Sequence, residues 1–464
     1  MRPKPQGLYS PPVELRRRME KDTNPGRSEA TDDAQIESAG TPGQRLTRRG
    51  LLAAAAASAS GAVLASLPAA GQTSARVPQP ATGSAAVESV SIPADPTRAP
   101  GPPTSALGAR SPFEQPARAP TGVTSGSSMT PLHALSGTIT PADLVFERHH
   151  AGVALIDPAR YQLMIHGLVE RPTVFSLADL RRLPSVSRTV FLECSGNGRA
   201  AFRAPKAEMT PQNVDGLTSN GEWTGVALTT LFREVGVRRT ASWFRAEGGD
   251  AARLSRSIPL EKALADAMIA YAFNGEPLRP ANGYPARLLL PGYEGNSCVK
   301  WVRRLELADG PGMFRDETSK YTDPLADGTS RQFSFVMDAK SLITAPAYPE
   351  RLAGAGWIPI SGLAWSGRGR IARVDVSVDG GRNWMRAELQ EPVLALAHTR
   401  FTLMWEWDGA AATIMSRATD ETGYTQPTLA EFRAKRGAGT DYHFNYIRGW
   451  VIQPDGRVSF AMEG

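Results

Sequence analysis

The sequence predicts an α+β domain followed by an all-β domain, and three observations support this fold class. Between Thr130 and about Tyr321, strand and helix signals are mixed, without the regular strand–helix alternation of a doubly wound sheet. After Phe333, short strand signals follow one another with turn dipeptides between them and almost no helix signal. Residues before Thr130 are rich in Pro, Ala, Ser, Thr and Gly, so we expect order to begin near that residue.

The elements of the first domain can be predicted one by one. Residues 161–169 are typical of a strand, and residues 286–290 form a continuous apolar strand that ends at Pro291-Gly292. Ser176 and Asp179 have the spacing of a helix-opening capping box, with the helix running towards Leu183. Two more helices are predicted, one ending at Gly236 and one from Pro259 to Met268.

The second domain is predicted from alternating apolar and polar residues. Such a period-2 pattern before Gly380-Gly381 and Asp408-Gly409 indicates half-buried strands followed by turns. Together these strands favour an immunoglobulin-like β-sandwich in which the apolar stripes are core. The stripes are Val374, Val376 and Val378, then Phe401, Leu403, Trp405 and Trp407.

The N-terminal residues have the layout of an export signal. Arg48-Arg49 precedes an uncharged run over residues 50–67, and small residues follow at 67–70, which is typical of the twin-arginine type. A membrane anchor is the alternative, although the Ala and Ser content favours cleavage. The predicted division is therefore a signal region (1–70), a disordered linker (71–129), a first domain (130–330) and a second domain (331–464).

Composition limits the classes of function. The net charge is +6, but ten Lys or Arg and seven Asp or Glu fall in residues 1–70, which leaves +3 for the remainder. This charge is too small to indicate nucleic-acid binding, and it suits an anionic substrate or an acidic protein partner. Two cysteines exclude a disulfide framework, the missing Cys-x-x-Cys-His excludes c-type haem, and the six histidines lack zinc-like spacing.

One of the two cysteines, Cys194, lies where an apolar strand meets a turn of small and polar residues. The turn covers residues 195–198, and Arg199 follows it. We expect this electropositive setting to lower the pKa of the thiol and to make Cys194 a nucleophile or a soft metal ligand. The alternative is a buried thiol that only packs, but permissive Gly-Asn-Gly backbone is uncommon in a core.

Several motifs in a fixed order resemble the sulfite oxidase family of molybdopterin enzymes. The resemblance covers residues 130–464, and the segments at 147–153 and 317–323 are most similar to the SoxC type, the molybdenum subunit of periplasmic sulfite or sulfane dehydrogenases. The motifs are Phe146-Glu147-Arg148-His149-His150, the loop from Cys194 to Arg199, Trp223-Thr224-Gly225, residues 274–278, residues 295–301, and residues 361–367 with 379–384.

The resemblance implies a molybdenum–molybdopterin cofactor and residues that hold it. Cys194 is implied as the thiolate ligand of the metal, which is the chemistry expected of a soft donor. A disulfide with Cys298 is the alternative, ranked lower because Cys298 lies in a segment that lines the pterin in this family. Asn282 stands where the family more often has histidine, and it can still donate a hydrogen bond. The implied cofactor-binding residues are Phe146, Arg148, His150, Asp250, Asn282, Arg287, Cys298 and Lys300.

The resemblance also implies a small positive substrate pocket. Arg199 matches an arginine of that pocket and Tyr321 matches its tyrosine, and both are expected to act with Cys194 in catalysis. Arg203 is a weaker candidate for extending the positive charge. The alternatives are a solvated arginine and a core tyrosine.

These expectations imply a periplasmic molybdenum-dependent sulfite or sulfane dehydrogenase. Electrons would pass to a c-type cytochrome, because this chain has no haem motif. The substrate could be free sulfite or sulfane sulfur on a carrier protein, and the second domain would form a homodimer or a dimer of heterodimers. We expect no nucleic acid and no stable membrane anchor. The alternatives are a molybdenum sulfoxide reductase and a metal-free exported binding protein.

Overall fold

A computed structural model describes residues 103–325, 327–437 and 439–462 of the chain. The predicted signal region and residues 71–102 of the predicted linker lie outside the described residues. We call residues 103–331 the N-terminal lobe and the described residues after 331 the C-terminal lobe. None of the helices described is long and apolar enough to cross a bilayer.

The N-terminal lobe mixes short helices with three main sheets. Its strands are β1 (Ala119–Gly122), β2 (Gly126–Met129), β3 (Glu147–His149), β4 (Gln162–Gly167), β5 (Thr173–Ser176), β6 (Val186–Glu193), β7 (Thr218–Ala227), β8 (Trp243–Gly248), β9 (Ser255–Pro259), β10 (Met268–Phe273), β11 (Glu276–Pro277), β12 (Arg287–Leu289), β13 (Val302–Ala308), β14 (Asp323–Pro324) and β15 (Ser330–Arg331). Its α-helices are α1 (Leu177–Arg182), α2 (Arg199–Arg203), α3 (Pro211–Asp215), α4 (Leu228–Val235), α5 (Leu260–Ala265) and α6 (Arg315–Thr318), and its 3₁₀ turns are Leu132–Ala134, Ala142–Leu144 and Pro280–Asn282.

Two five-stranded sheets form the body of this lobe. One has the order β11-β10-β7-β6 with β12 paired to β10, and the other has the order β5-β4-β13-β8-β9, in which only the β4–β13 pair is parallel. The strands of a smaller antiparallel sheet, β1-β2-β3, precede those of the two large sheets in the sequence. The lobe therefore contains both helices and strands without repeated βαβ units, and this confirms the predicted α+β class.

The C-terminal lobe is made of two sheets that share a core. A hydrogen bond from Ser341 Oγ to Ser416 Oγ at 2.9 Å links the two sheets. This arrangement confirms the predicted β-sandwich. Its elements are β16 (Lys340–Ala345), β17 (Gly356–Trp365), β18 (Ile371–Ser377), β19 (Met385–Arg386), β20 (Glu388–Leu389), β21 (Thr399–Trp407), β22 (Ala412–Asp420), α7 (Leu429–Arg436), β23 (Gly449–Ile452) and β24 (Val458–Ala461). One sheet has the order β16-β17-β21-β20 and the other has the order β19-β18-β22-β23-β24.

The cores of the two lobes meet at the end of β6. The C-terminal core, which contains Trp365 and Phe401, also takes in Phe191 from β6 and Val214 from α3. His398 lies at the same junction, where its ring Nε2 is 2.9 Å from the hydroxyl of Thr218. The end of β6 is thus held from both lobes, and this fixes the starting point of the loop that follows.

Local predictions hold where a backbone rule acts over a few residues. The capping box at Ser176 and Asp179 is present and opens α1. The helix predicted from Pro259 to Met268 is shorter, because α5 ends at Ala265 and Met268 already pairs with Ala227 in the sheet. Helix α7 has no counterpart in the prediction of an all-β second domain.

The predicted disordered linker (71–129) is wrong for its last residues. Strands β1 and β2 form a hairpin that pairs with β3, with Gly126 opposite His149. Arg118 forms an ion pair with Glu147 of β3. The composition is poor in large apolar side chains, so the order comes from main-chain pairing to a neighbouring strand, which composition does not reveal.

Candidate active site

Cys194 begins a tight loop between β6 and α2. Its N–H donates to Leu217 O at 2.9 Å, and its carbonyl accepts from Asn197 N at 2.9 Å. Gly198 has φ +90°, and an added Cβ would lie 3.0 Å from atoms of Phe444 and Arg448. The loop therefore needs glycine both for its backbone angle and for its close packing on the C-terminal lobe.

The side chain of Cys194 faces a cavity between the sheets of the N-terminal lobe. Ten of the eleven predicted site residues line this cavity together: Cys194, Tyr321, Phe146, Arg148, His150, Asp250, Asn282, Arg287, Cys298 and Lys300. The eleventh, Arg199, lines a second cavity that opens next to the first. The ten residues are spread over 175 positions of the sequence, and the fold brings them to one cavity.

The cavity contains two cations, the buried Arg287 and the half-buried Lys300, and both donate hydrogen bonds to carbonyl oxygens. Arg287 donates to Asn282 O at 2.9 Å and to Cys298 O at 2.8 Å. Lys300 Nζ donates to Arg148 O and to Ala281 O, each at 3.0 Å. Burial lowers the pKa of Arg287 to about 10 and also lowers the pKa of Lys300. Such a pair is suited to an anion that enters the cavity.

The cavity also contains a polar atom without a partner. Asp250 is buried, and its Oδ1 has no hydrogen-bond partner among the residues described. A buried carboxylate oxygen in this state is costly unless a donor is supplied. Asp250 is therefore an acceptor available to a bound group that carries N–H donors.

The second cavity forms the mouth of the site, and we use that name for it below. Cys194, Arg148, His150 and Tyr321 line both cavities, so the thiol lies where they join. The other residues of the mouth are Ser125, Gly196, Arg199, Arg203, Arg315, Asp316, Lys320, Asp441 and Tyr442.

Tyr321 and His150 form a hydrogen-bonded pair in the wall shared by the two cavities. Their Oη and Nε2 atoms are 2.8 Å apart. Burial raises the pKa of the Tyr321 hydroxyl and lowers the pKa of His150. Tyr321 is thus a neutral hydroxyl near neutral pH, and it can donate or accept a hydrogen bond beside Cys194.

The expectation of a lowered pKa for Cys194 is wrong. Burial raises the pKa of this thiol, although Gly196 N–H, Arg148 and Arg199 oppose that effect. Both cysteines are free, so the alternative of a disulfide is not observed. Cys298 packs in the main core of the N-terminal lobe, and its sulfur lies 3.3 Å from Leu290 N.

Sequence reasoning missed several residues of the two cavities. His149 lies beside the predicted His150 and contacts Lys300 Nζ through Nδ1 at 2.8 Å. Asn296 and Trp301 lie inside a motif already singled out, so their neighbours could have pointed to them. Asp441 and Tyr442 of the C-terminal lobe carried no signal in the sequence, because they reach the mouth only through the packing of the lobes.

Two family models match the chain. One described as an oxidoreductase molybdopterin binding domain matches residues 150–313, and one described as a Mo-co oxidoreductase dimerisation domain matches residues 331–448. Sulfite oxidase from Gallus gallus is 31% identical over 314 residues, which is 62% of this chain and 68% of that protein.

A solved structure is similar over nearly its whole length. The sulfane dehydrogenase SoxCD from Paracoccus pantotrophus is 45% identical, with a TM-score of 0.76 over 78% of this chain and 96% of that chain. The chain belongs to the sulfite oxidase family of molybdopterin oxidoreductases. The predicted resemblance to the SoxC type of this family is confirmed, and so is the predicted molybdenum–molybdopterin cofactor of the family.

Other relatives in the family are longer than the shared region. The NADH nitrate reductase of Ulva prolifera is 28% identical over 366 residues, and mouse sulfite oxidase is 33% identical over 271. The chain spans 42% of the first and 50% of the second, about half the length of these curated relatives.

The residues of the cavity fit the cofactor of the family. Cys194 offers a soft sulfur donor, which suits the molybdenum centre of this family. Among the residues described, neither Arg287 nor Lys300 donates a hydrogen bond to a carboxylate, so both can direct positive charge at a phosphate. The unpartnered Oδ1 of Asp250 suits the amino group of a pterin.

Proposed function

We propose that this chain is the molybdenum subunit of a periplasmic sulfite or sulfane dehydrogenase. The observation that carries the proposal is the position of Cys194, which lines both the cavity that fits the cofactor and the cationic mouth. A thiol placed at that junction can bind a metal on one side while the substrate arrives from the other. The similarity to SoxCD over 96% of that chain supports the same activity.

The chain itself would bind and orient the cofactor. Cys194 would ligate the metal, and a metal deprotonates its thiol ligand in spite of the raised pKa. Arg287, Lys300 and Arg148 would hold the phosphate, and Asp250 would accept hydrogen bonds from the pterin. When bound, the cofactor supplies two-electron oxygen-atom transfer chemistry to a sulfur substrate.

The residues of the mouth would bind and position the substrate. Arg148, Arg199 and Arg203 supply positive charge that attracts an oxyanion towards Cys194. Tyr321 can donate a hydrogen bond to a substrate oxygen while His150 Nε2 fixes its hydroxyl from the other side. These residues would orient the substrate sulfur towards the bound cofactor, and they supply no redox group of their own.

Electron transfer, assembly and location complete the proposal. A c-type cytochrome would accept the electrons, because the sequence has no Cys-x-x-Cys-His motif. The match of residues 331–448 to a dimerisation domain supports a homodimer or a dimer of heterodimers. Arg48-Arg49 and the uncharged run after them support export by the twin-arginine route with the cofactor already inserted.

The test is a metal analysis combined with assays in both chemical directions. The purified chain should hold stoichiometric molybdenum, and it should reduce cytochrome c or ferricyanide with sulfite or with a sulfane-loaded carrier protein. Oxidation of neither substrate by molybdenum-loaded protein would contradict the proposal. Reduction of methionine sulfoxide with a reduced dye, in place of those oxidations, would indicate a reductase.

A further inference from the structure

The mouth contains one carboxylate that comes from the C-terminal lobe. Arg199 donates to the backbone carbonyl of Asp441 from Nε at 3.0 Å and from Nη2 at 2.7 Å. The Asp441 carboxylate lies 2.5 Å from Nη2 of Arg203 and 3.4 Å from Nε of Arg199. Both arginines that face the mouth from α2 are therefore engaged by one residue.

The segment that carries Asp441 is held in place by its neighbours. The next residue, Tyr442, accepts a hydrogen bond from Tyr321 N through its hydroxyl at 3.2 Å. The Arg199 guanidinium carbon lies 5.3 Å from the centre of the Tyr442 ring. His443 N donates to Ser195 O at 2.7 Å, next to Cys194. These contacts keep the Asp441 carboxylate at the mouth.

The charges of the mouth are unbalanced in favour of cations. Arg148, Arg199, Arg203, Arg315 and Lys320 line it, and the carboxylates that line it are Asp316 and Asp441. Asp316 is buried and accepts from Ser255 N at 3.3 Å. Asp441 is 42% exposed in its side chain, so it is the carboxylate that meets a solute entering from solvent.

We propose that Asp441 is a specificity-determining residue that selects against free small oxyanions. Its carboxylate occupies the side of Arg199 and Arg203 that a dianion such as sulfite would use, and it repels that dianion. A protein-bound sulfane ends in a persulfide sulfur that carries at most one negative charge, so Asp441 repels it less than it repels a dianion. The inference rests on the proposed function and deepens it, because it favours protein-bound sulfane over free sulfite.

The proposal is tested with Asp441→Asn in the molybdenum-loaded protein. The asparagine keeps the backbone carbonyl and a side-chain oxygen for Arg203, so only the negative charge is lost. We expect sulfate to bind about tenfold more tightly by titration calorimetry, since a unit charge is removed a few ångströms from the anion. The KM for sulfite should fall by a similar factor, and the gain should shrink as salt is added.

Two variants separate this effect from a general change in the protein. Asp455→Asn removes an exposed carboxylate that pairs with Arg457 and Arg351, away from the mouth, and it should leave sulfate affinity unchanged. In an Arg203→Gln background, Asp441→Asn should give a smaller gain, because part of its action passes through Arg203. Unchanged or weaker sulfate binding in Asp441→Asn would overturn the proposal.

The outcome can be distinguished from failure of the proposed function. If the parent oxidises neither sulfite nor carrier-bound sulfane, the dehydrogenase activity is wrong, yet the sulfate titration still measures what Asp441 does to the mouth. If the parent is active and sulfate affinity does not respond to Asp441→Asn, the activity stands and the role of Asp441 is wrong.

Discussion

The two sides of the Cys194 loop handle charge in opposite ways. Behind the loop, Lys340 Nζ lies 2.6 Å from Glu193 and 3.3 Å from Asp215, and Arg448 lies 2.9 Å from Asp215. All four side chains are almost completely buried and their charges balance. In front of the loop, Arg199, Arg203 and Asp441 are 39–50% exposed in their side chains, and cations are in excess.

The difference indicates that the buried side fixes the Cys194 loop and that the exposed side can respond to a solute. Charges that are buried and paired hold one geometry, because any displacement leaves an unpaired charge away from water. Charges at a hydrated rim tolerate displacement at little cost, so they can change partners when an anion arrives. The buried network includes Glu193, one residue before Cys194, whereas the charges that can change partners line the mouth.

The largest effect is expected at the boundary between the two sides, from Cys194→Ser. The fold and the buried network should remain, because serine is nearly the same size. Turnover should fall by more than about 10³-fold, as when a group that acts directly at the reacting centre is removed. Steady-state assay, molybdenum analysis and circular dichroism measure these points together. Substantial activity in this variant would show that Cys194 is not the metal ligand.

The next effect concerns the buried side, through Lys340→Met. Loss of this ammonium leaves Glu193 and Asp215 with Arg448 as the remaining cation of the cluster, and the free energy of unfolding should fall by about 3–5 kcal/mol. Urea unfolding measures it. Arg238→Met is the matched control, because its ion pair with Glu170 is exposed and should be worth less than about 1 kcal/mol. Equal losses in the two variants would contradict the difference between the buried and the exposed charges.

A pH effect is expected from His398, which is buried where the lobes meet. Burial lowers the pKa of His398 to about 3, while an unfolded histidine titrates near 6.5. The unfolded state therefore binds a proton first, and stability is lost as the pH falls below about 6.5. Between neutral pH and pH 5 the loss should be about 2 kcal/mol from this residue.

His398→Gln tests that assignment, since an amide can still bond Thr218 but does not titrate. Its free energy of unfolding should fall less between pH 7 and pH 5 than that of the parent, by about 2 kcal/mol. Urea unfolding at the two pH values measures the difference. Parallel pH dependences would assign the acid sensitivity to other groups.

The smallest effect is expected at the mouth, from Arg199→Gln. The KM for an anionic substrate should rise by about tenfold, and added salt should matter less than in the parent. The free energy of unfolding should change by less than about 1 kcal/mol, because the guanidinium is partly exposed. An unchanged KM would remove Arg199 from the substrate pocket.

Sequence reasoning reached the fold and much of the site through local patterns. The capping box at Ser176, the alternation around Val374 and the turn after Cys194 each depend on neighbours in the chain, so the patterns are visible without a structure. The grouping of Arg148, Asp250 and Lys300 came from the family motifs, and the structure brings these residues to one cavity. The hairpin at 119–129 was missed because its partner strand lies about twenty residues away.

By itself the sequence determined where Cys194 would lie relative to a strand and a turn, which segments would be strands, and the family to which the motifs belong. Tertiary structure alone decided that burial raises the pKa of Cys194, that Lys340 and Arg448 complete a buried charge network behind it, and that Asp441 faces Arg203. These facts depend on solvent exposure and on charges that lie more than a hundred residues apart in the sequence. Both arise only when the lobes pack, because electrostatic energy depends on distance and dielectric and not on order in the chain.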